Sequence, residues 1–430
     1  MTDNVSKAAP FTEVGATGLT VQGGQVQQDF LRQLQGRQGL DRYREMADNH
    51  PVIGGFMHAI EMLIRSVDWT VEPADSDDQA SIDEADFVAG CMGDMSHSWS
   101  DTISAILTML PYGFSLHELV YKRRQGHAQD GSSSRFDDGR IGWRKLPIRA
   151  QSTITEWKFD DSGGLDGAWQ TDPTNGRRVF IPIDRALLFR TSTKLNNPQG
   201  RSILRNAFVA WYYQRRILEI EAIGIERDLA GLPVAYVPPE YLSDNATGQQ
   251  SAALSEIKNI VRNIRRDEQE GLVFPLAYDP DSGKPMFDLQ LLSTGGRRQF
   301  DTNAIVARYD SRIAMSVLAD FILLGHEKVG TQALSVSKIS LFNDSVDAWL
   351  GAIADVFNTY AIPRLLRLNG VPEDRFPTLT YQPPRNVDLA ETADYVSKLA
   401  SAGALIPDDS MDGHLRGLAG IPAEEAEAVT

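Results

Sequence analysis

A single cysteine, Cys91, is all the thiol that 430 residues carry. That excludes an internal disulfide and any multi-thiolate metal site. Beside Met92, the residue reads as a small buried hydrophobe and not as a nucleophile. Long apolar runs are missing as well. None approaches the roughly 20 residues that span a bilayer, and no basic segment leads into an apolar one at the start of the chain. Synthesis in a reducing cytoplasm, with no export and no membrane partner, is the expectation. Basic charge is in deficit: 42 Lys and Arg stand against 58 Asp and Glu, for a formal net charge of −16. A broad grip on DNA needs a phosphate-neutralising surface, so any DNA contact is expected to be loose or confined to a few residues.

Catalytic signatures are the next absence. Ser282-Gly-Lys-Pro285 lacks the upstream glycine and the hydroxyl of a P-loop. There is no Gly-x-Ser-x-Gly elbow, no His-Glu-x-x-His and no glycine-rich dinucleotide fingerprint. The seven histidines are scattered with no i, i+4 pair, so a histidine-built metal site is not expected. Asp279-Pro-Asp-Ser-Gly283 starts like a calcium loop, but Asp288-Leu-Gln-Leu-Leu292 follows where the bidentate glutamate is needed. Its turn chemistry predicts a hairpin between Leu272–Tyr278 and Met286–Leu292. Asp137-Asp138 and Asp160-Asp161 sit beside glycines in exposed turns, which cannot drive two carboxyl pKa values apart as catalysis requires. Neither an enzyme, a cofactor nor a metal is expected.

What is present predicts an α+β chain, mainly helical, of two or three domains. Residues 1–39, rich in Gly, Gln, Thr and Val, read as an irregular arm. Helices are expected over Leu40–Asn49, from Pro51 onward, over Gln79–Met92 and over Trp99–Leu110. The second carries an apolar stripe of Val52, Phe56, Ala59, Ile60, Leu63 and Ile64. Val67–Glu72 alternates as a strand. From Gly113 to Phe189 strands and turns dominate: Phe114–Tyr121, Ile154–Phe159, Trp169–Thr171, Val179–Pro182 and Ala186–Phe189.

The helix after Gly200 has two apolar stripes. Ile217, Ile220 and Gly224 form one; Leu218, Ala222, Ile225 and Leu229 form the other, rotated by roughly 100°. A helix apolar on two sides must be buried on two sides, either centrally in a domain or between neighbours in a ring. Within it, Trp211-Tyr-Tyr213 reads as core or interface packing, and Arg215 and Arg216 as ion-pair partners of Glu219 and Glu221. The chain breaks at Leu232–Pro239, resumes as a helix over about Ser251–Glu270, and forms a further helix from Arg298 to about Leu324. The polar loop Gly325–Gln332, glycine-bounded at its start, can protrude. A long helix follows through Ile339, Phe342, Val346, Trp349, Ile353, Val356 and Tyr360, with a kink due at Pro363 and a stop at Asn369-Gly370. An extended Phe376–Pro384 leads to tail helices over Leu389–Ala402 and Asp408–Leu418.

Several long stretches, in collinear order from about Leu40 onward, resemble the Mu-like family of tailed-bacteriophage portal proteins. They are Tyr43-Arg-Glu-Met-Ala-Asp-Asn-His-Pro-Val-Ile-Gly54, Val67-Asp-Trp-Thr-Val-Glu-Pro73, the segment Glu219–Pro239, and Leu324-Gly-His-Glu-Lys-Val-Gly330. The resemblance implies a portal-type architecture: wing (40–200), stem helix one (201–230), clip (231–297), stem helix two (298–324), tunnel loop (325–334), spine helix and return to the wing (335–387), and a small helical crown (388–430). It implies a ring, typically of twelve subunits, at one capsid vertex. Through it double-stranded DNA is packaged and ejected without sequence recognition. The implied partners are the terminase large subunit, head-tail connector proteins, and major capsid and scaffold proteins, in the virion and, during assembly, in the host cytoplasm. Mapped onto this chain, His326, Glu327, Lys328, Thr331 and Gln332 would face DNA. Ile217, Ile220, Ile225, Leu229, Val317 and Phe321 would pack stems together, and Tyr236, Tyr241, Arg262, Arg265 and Arg266 would present the clip to terminase or adaptor. The alternatives are another virion adaptor ring without a channel-lining stem, or a nucleic-acid hydrolase using carboxylates outside any motif.

Overall fold

The computed structural model describes residues 17–127, 133–161, 163–230, 232–263, 285–292, 301–317 and 332–382, with single positions near 278–283 and 394–401. The chain forms two compact units. One combines residues 1–203 with 327–430; the other, residues 204–326, is inserted between those stretches. The expected tail helices after residue 388 lie outside the described residues, apart from a few helical positions between 394 and 401.

The first unit opens with a short hairpin, β1 (Val21–Gln22) and β2 (Gln25–Val26), and two helices, α1 (Gly36–Asn49) and α2 (Pro51–Arg65). His50 joins the helices: its ring accepts from the Ile53 N–H at 3.4 Å, and Pro51 takes the first helical position, where no donor is needed. Ile53, Phe56, Ile60 and Ile64, at helical spacing, form the buried face of α2. After β3 (Trp69–Glu72) come α3 (Gln79–Gly93), α4 (Trp99–Leu107) and α5 (Met109–Tyr112). Asp78 caps α3 by accepting from Ala80 and Ser81 N–H, Ser98 caps α4 through Asp101 N–H, and Gly113 ends α5 with φ 93°.

The β-rich body follows, in three antiparallel sheets. Its strands are β4 (Phe114–Glu118), β5 (Val120–Arg123), β6 (Ile141–Lys145), β7 (Ile148–Arg149), β8 (Ile154–Phe159), β9 (Leu165–Thr171), β10 (Arg178–Pro182) and β11 (Ala186–Arg190). They are ordered β11-β4-β7, β5-β6 and β10-β9-β8. The single strand expected over Phe114–Tyr121 is two strands in two sheets. Leu119 N–H donates to the Arg185 carbonyl at 2.8 Å as the last rung of the β4–β11 ladder, and from Val120 the chain pairs with β6 instead. Phe114, Leu116, Trp157, Ala168, Ile181 and Ala186 close a core with Val26 of the opening hairpin. The Asp160–Gly164 turn forms as expected, with the Asp160 carboxylate accepting from Gly164 N–H at 2.8 Å.

The inserted unit comprises α6 (Phe208–Ala230), β12 (Leu232–Tyr236), α7 (Gly248–Asn263), β13 (Asp288–Leu292) and α8 (Thr302–Ser316). β13 pairs antiparallel with β12, from Leu232↔Leu292 to Tyr236↔Asp288, which brings together the strands before and after α7. Of the expected hairpin, the antiparallel Tyr278↔Pro285 bridge forms, and the arm over residues 272–277 lies outside the described residues. The helix expected from Arg298 is described from Thr302, where Asp301 caps it by accepting from Ala304 N–H at 3.1 Å. It ends at Ser316, with Val317 as its C-cap.

The chain then returns through α9 (Gln332–Val356), a π-helical turn over Phe357–Ala361, α10 (Ile362–Leu368) and β14 (Thr378–Tyr381). The kink expected at Pro363 takes the form of that π turn, whose wider hydrogen bonding absorbs the donor that proline lacks. Gly370 (φ 71°) and the Val371 N–H bonded to the Leu366 carbonyl end the helix as expected. β14 pairs with β3, Leu379 opposite Val71 and Tyr381 opposite Trp69, so the two distant stretches of the first unit share a ladder. The Asn369 side chain continues the join by donating to the Ile141 carbonyl (2.9 Å) and accepting from Ile141 N–H (2.8 Å). The Tyr381 hydroxyl donates to the Asp347 carboxylate at 3.0 Å. Burial and that partner push its pKa up to about 12.

Aromatic rings converge on Phe357, which is fully buried. Trp99 lies 5.0 Å, Phe189 5.7 Å and Trp143 6.2 Å from it between ring centroids. Truncating Phe357 to Ala should therefore cost about 3–5 kcal/mol, a large-to-small change in a packed core, measured as a shift in the denaturant midpoint.

Two polar clusters are also buried. Asp94 and Lys122 form an ion pair at 2.9 Å, and Asp94 accepts further bonds from the Ser134 hydroxyl and Arg135 N–H. Burial alone would raise the Asp94 pKa, but these hydrogen bonds outweigh it and hold the carboxyl below its usual value. Ser115 and His117, both fully buried, are hydrogen-bonded at 2.7 Å, and His117 Nδ1–H donates to the Leu146 carbonyl at 2.9 Å. Burial, opposed by the Leu146 bond, pushes His117 down to about 4. The folded protein holds this ring neutral, whereas an unfolded histidine takes up a proton below about 6.5. Its contribution is complete above pH 6.5 and is lost as pH falls toward 4, about 3 kcal/mol in all. Stability measured across that window should fall more steeply for the wild-type chain than for a His117→Gln variant.

Candidate functional site

Helices α6 and α8 run antiparallel through a polar seam. The Gln214 side chain, buried in α6, donates to the Asp310 carboxylate at 2.7 Å and to the Val306 carbonyl at 3.4 Å. About two turns further along, the Thr302 hydroxyl donates to Glu221. Hydrogen bonds of this kind fix the register of two helices, because a slip leaves buried polar groups unpaired.

Only one side of α6 is covered by α8. Leu218 and Ile220 are two residues, about 200°, apart around the helix, and both are exposed, by 45% and 64%. Ile223 and Val209 extend the Ile220 side, together with Tyr213; Ile225 extends the Leu218 side. Of the two stripes read from the sequence, Ile220 is exposed on one and Leu218 and Ile225 on the other. Ile217 is half-buried, and Leu229 is described by its backbone alone. Val317 needs correction as a stem contact: it is only 5% exposed within a single chain, which leaves a neighbour nothing to cover. Phe321 lies outside the described residues. Sequence reasoning undervalued Val209, Tyr212, Tyr213 and Ile223, all exposed. Their 3–4 residue spacing with Ile220 was the available signal.

Of the residues expected on the clip, Tyr236 ends β12 with half its surface exposed, and half-buried Tyr241 meets Phe287 edge-on at 5.4 Å. Arg262 is described by its backbone within α7, while Arg265 and Arg266 lie outside the described residues. The expected loop residues His326, Glu327, Lys328 and Thr331 also lie outside them. Gln332 is the first residue of α9, so it belongs to the helix and not to the loop.

Among the described residues no cluster of His, Cys, Asp or Glu could hold a metal, and no helix is long and apolar enough to cross a membrane. Cys91 is buried, with burial raising its pKa against the pull of Arg124.

The family model for the portal protein of Mu bacteriophage matches residues 40–416. Among solved structures, a chain from the neck of the empty GTA particle computed with C6 symmetry superposes with a TM-score of 0.51. Its identity is 14%, over 89% of this chain and 94% of that one. A chain from the neck of the native GTA particle computed with C12 symmetry gives a TM-score of 0.49 at 14% identity, over 89% and 94%. An HK97 family phage portal protein from Corynebacterium diphtheriae gives 0.41 at 13% identity, over 82% and 96%. At these identities the first of the three shows a shared fold.

Proposed function

The chain belongs to the family of the Mu bacteriophage portal protein, and from that premise we propose that its copies close into a ring at one capsid vertex. The ring is the conduit for DNA packaging and ejection. It docks the packaging terminase and later the head-tail connector proteins, and it contacts capsid and scaffold proteins during assembly in the host cytoplasm. A ring of twelve is the number we infer, in keeping with the C12 symmetry used for the neck of a GTA particle.

The observation that carries this reading is the exposure of Leu218 and Ile220 on opposite flanks of one helix. A lone chain gains nothing from two such flanks. In a ring, each subunit meets one neighbour on either side through a heterologous contact that closes by rotation, and both flanks are buried. In this reading the α7-bearing clip, with Tyr236 and Tyr241, faces terminase or adaptor, and the loop before α9 narrows the channel.

Negative-stain images of the purified protein test the ring directly. Discrete rings with a central hole wide enough for a duplex are expected; a compact monomer that persists at high concentration overturns the proposal. Ile220→Asp should abolish ring closure while leaving the monomer folded by circular dichroism, because closure would bury an unpaired charge. Deleting Glu327–Thr331 should leave rings intact and impair DNA packaging or retention, scored as DNA-filled particles per assembled head.

A further inference from the structure

The face of α8 turned away from α6 has a character of its own. Asp310 and Thr302 bond to α6. At about 100° per residue, Arg308 and Arg312 each lie about 160° from Asp310 and so share the opposite face. Both are exposed. The ion pairs described in this unit, Arg215–Glu219 and Arg216–Glu219, involve neither of them. Their guanidinium groups flank the ring of Tyr309, 5.6 and 5.8 Å from its centroid. Two arginines one turn apart without a described carboxylate are unexpected in a chain where 58 acidic residues outnumber 42 basic ones.

We propose that Arg308 and Arg312 form a phosphate-contacting strip for duplex DNA inside the ring, an inference that rests on the ring reading above. α6 is covered on one side by α8 and offers both flanks to neighbouring copies, so the far face of α8 is left free to meet the passage. Repeated once per subunit, the two arginines make two belts of positive charge about 6 Å apart along the helix. They face a polyanion with one charge per about 1.7 Å of its axis. A guanidinium fork matches phosphate geometry, and such contacts position a duplex without reading its bases. Confined to two belts in an acidic chain, they guide DNA without gripping it. Both guanidinium groups lie within cation–π range of the Tyr309 ring.

The test measures binding of assembled rings to a short fluorescein-labelled DNA duplex by anisotropy over a salt series. Four proteins are compared: wild type, Arg308→Gln/Arg312→Gln, Arg308→Lys/Arg312→Lys, and Arg44→Gln as a distant surface control. All four should form rings. The glutamine pair should bind about tenfold or more weakly at low salt and show a flatter dependence of log K on log salt. The lysine pair should keep most of the slope, and Arg44→Gln should match wild type. Intact glutamine-variant rings with wild-type affinity and slope overturn the proposal, as do wild-type rings that bind no duplex at low salt. Loss of rings in the glutamine variant, rescued by lysine, also overturns it, because the arginines would then be pairing with a neighbour's carboxylates. A wild-type chain that forms no ring fails the preceding proposal; unchanged binding by intact variant rings fails this one alone.

Discussion

The convergence of Trp99, Trp143 and Phe189 on Phe357 joins parts of the chain more than 150 residues apart. Phe357 occupies the π turn before Pro363, where the helix is widened and its ring is driven inward. Around it, β14 adds to β3, Asn369 bonds the Ile141 backbone in both directions, and Arg364 donates to the Ala186 carbonyl at 2.7 Å. The first unit is thereby closed across the point where the second is inserted. Only with both stretches locked can a chain leave a folded body at residue 203, build a separate unit, and return at 327.

That division separates two kinds of burial. The first unit closes its own core: Trp99, Trp143 and Phe189 pack around Phe357, and Asp94, Lys122, Ser115 and His117 at depth are paired with one another or with backbone. The inserted unit does not. Its longest helix meets α8 through a polar seam and leaves apolar side chains on both flanks. A protein whose unit is incomplete in this way is made for company. Membership of a portal family supplies the geometry of that company, and copies of the same chain are the simplest occupants.

Much of the first unit was legible in local sequence. Pro51 after His50, Asp78 and Ser98 as caps, the Asp160–Gly164 turn and Asn369-Gly370 as a stop are short-range signals, and the elements they bound formed within a few residues of expectation. The two stripes of α6 were legible for the same reason, since helical periodicity is written within four residues. Pairing was less legible. The run Phe114–Tyr121 reads as one strand, but it pairs with β11 as far as Leu119 and with β6 from Val120, a change of partner that no local pattern marks. The ladder between Leu232–Tyr236 and Asp288–Leu292 likewise joins residues more than fifty positions apart. Val317 continues an apolar stripe on paper, but as the C-cap of a helix ended at Ser316 it is buried within its own chain.

By itself the sequence determined what the chain lacks: it has one thiol, scattered histidines and no nucleotide loop. It also determined that α6 carries apolar residues on two sides, because that property belongs to a helix before it has neighbours. The tertiary structure decided which side α8 covers and which flanks stay bare, and that Arg308 and Arg312 stand together opposite Asp310. Those choices depend on hydrogen bonds between residues about a hundred positions apart, Gln214 to Asp310 and Glu221 to Thr302. No local pattern encodes such bonds, and their cost if broken is what holds the register.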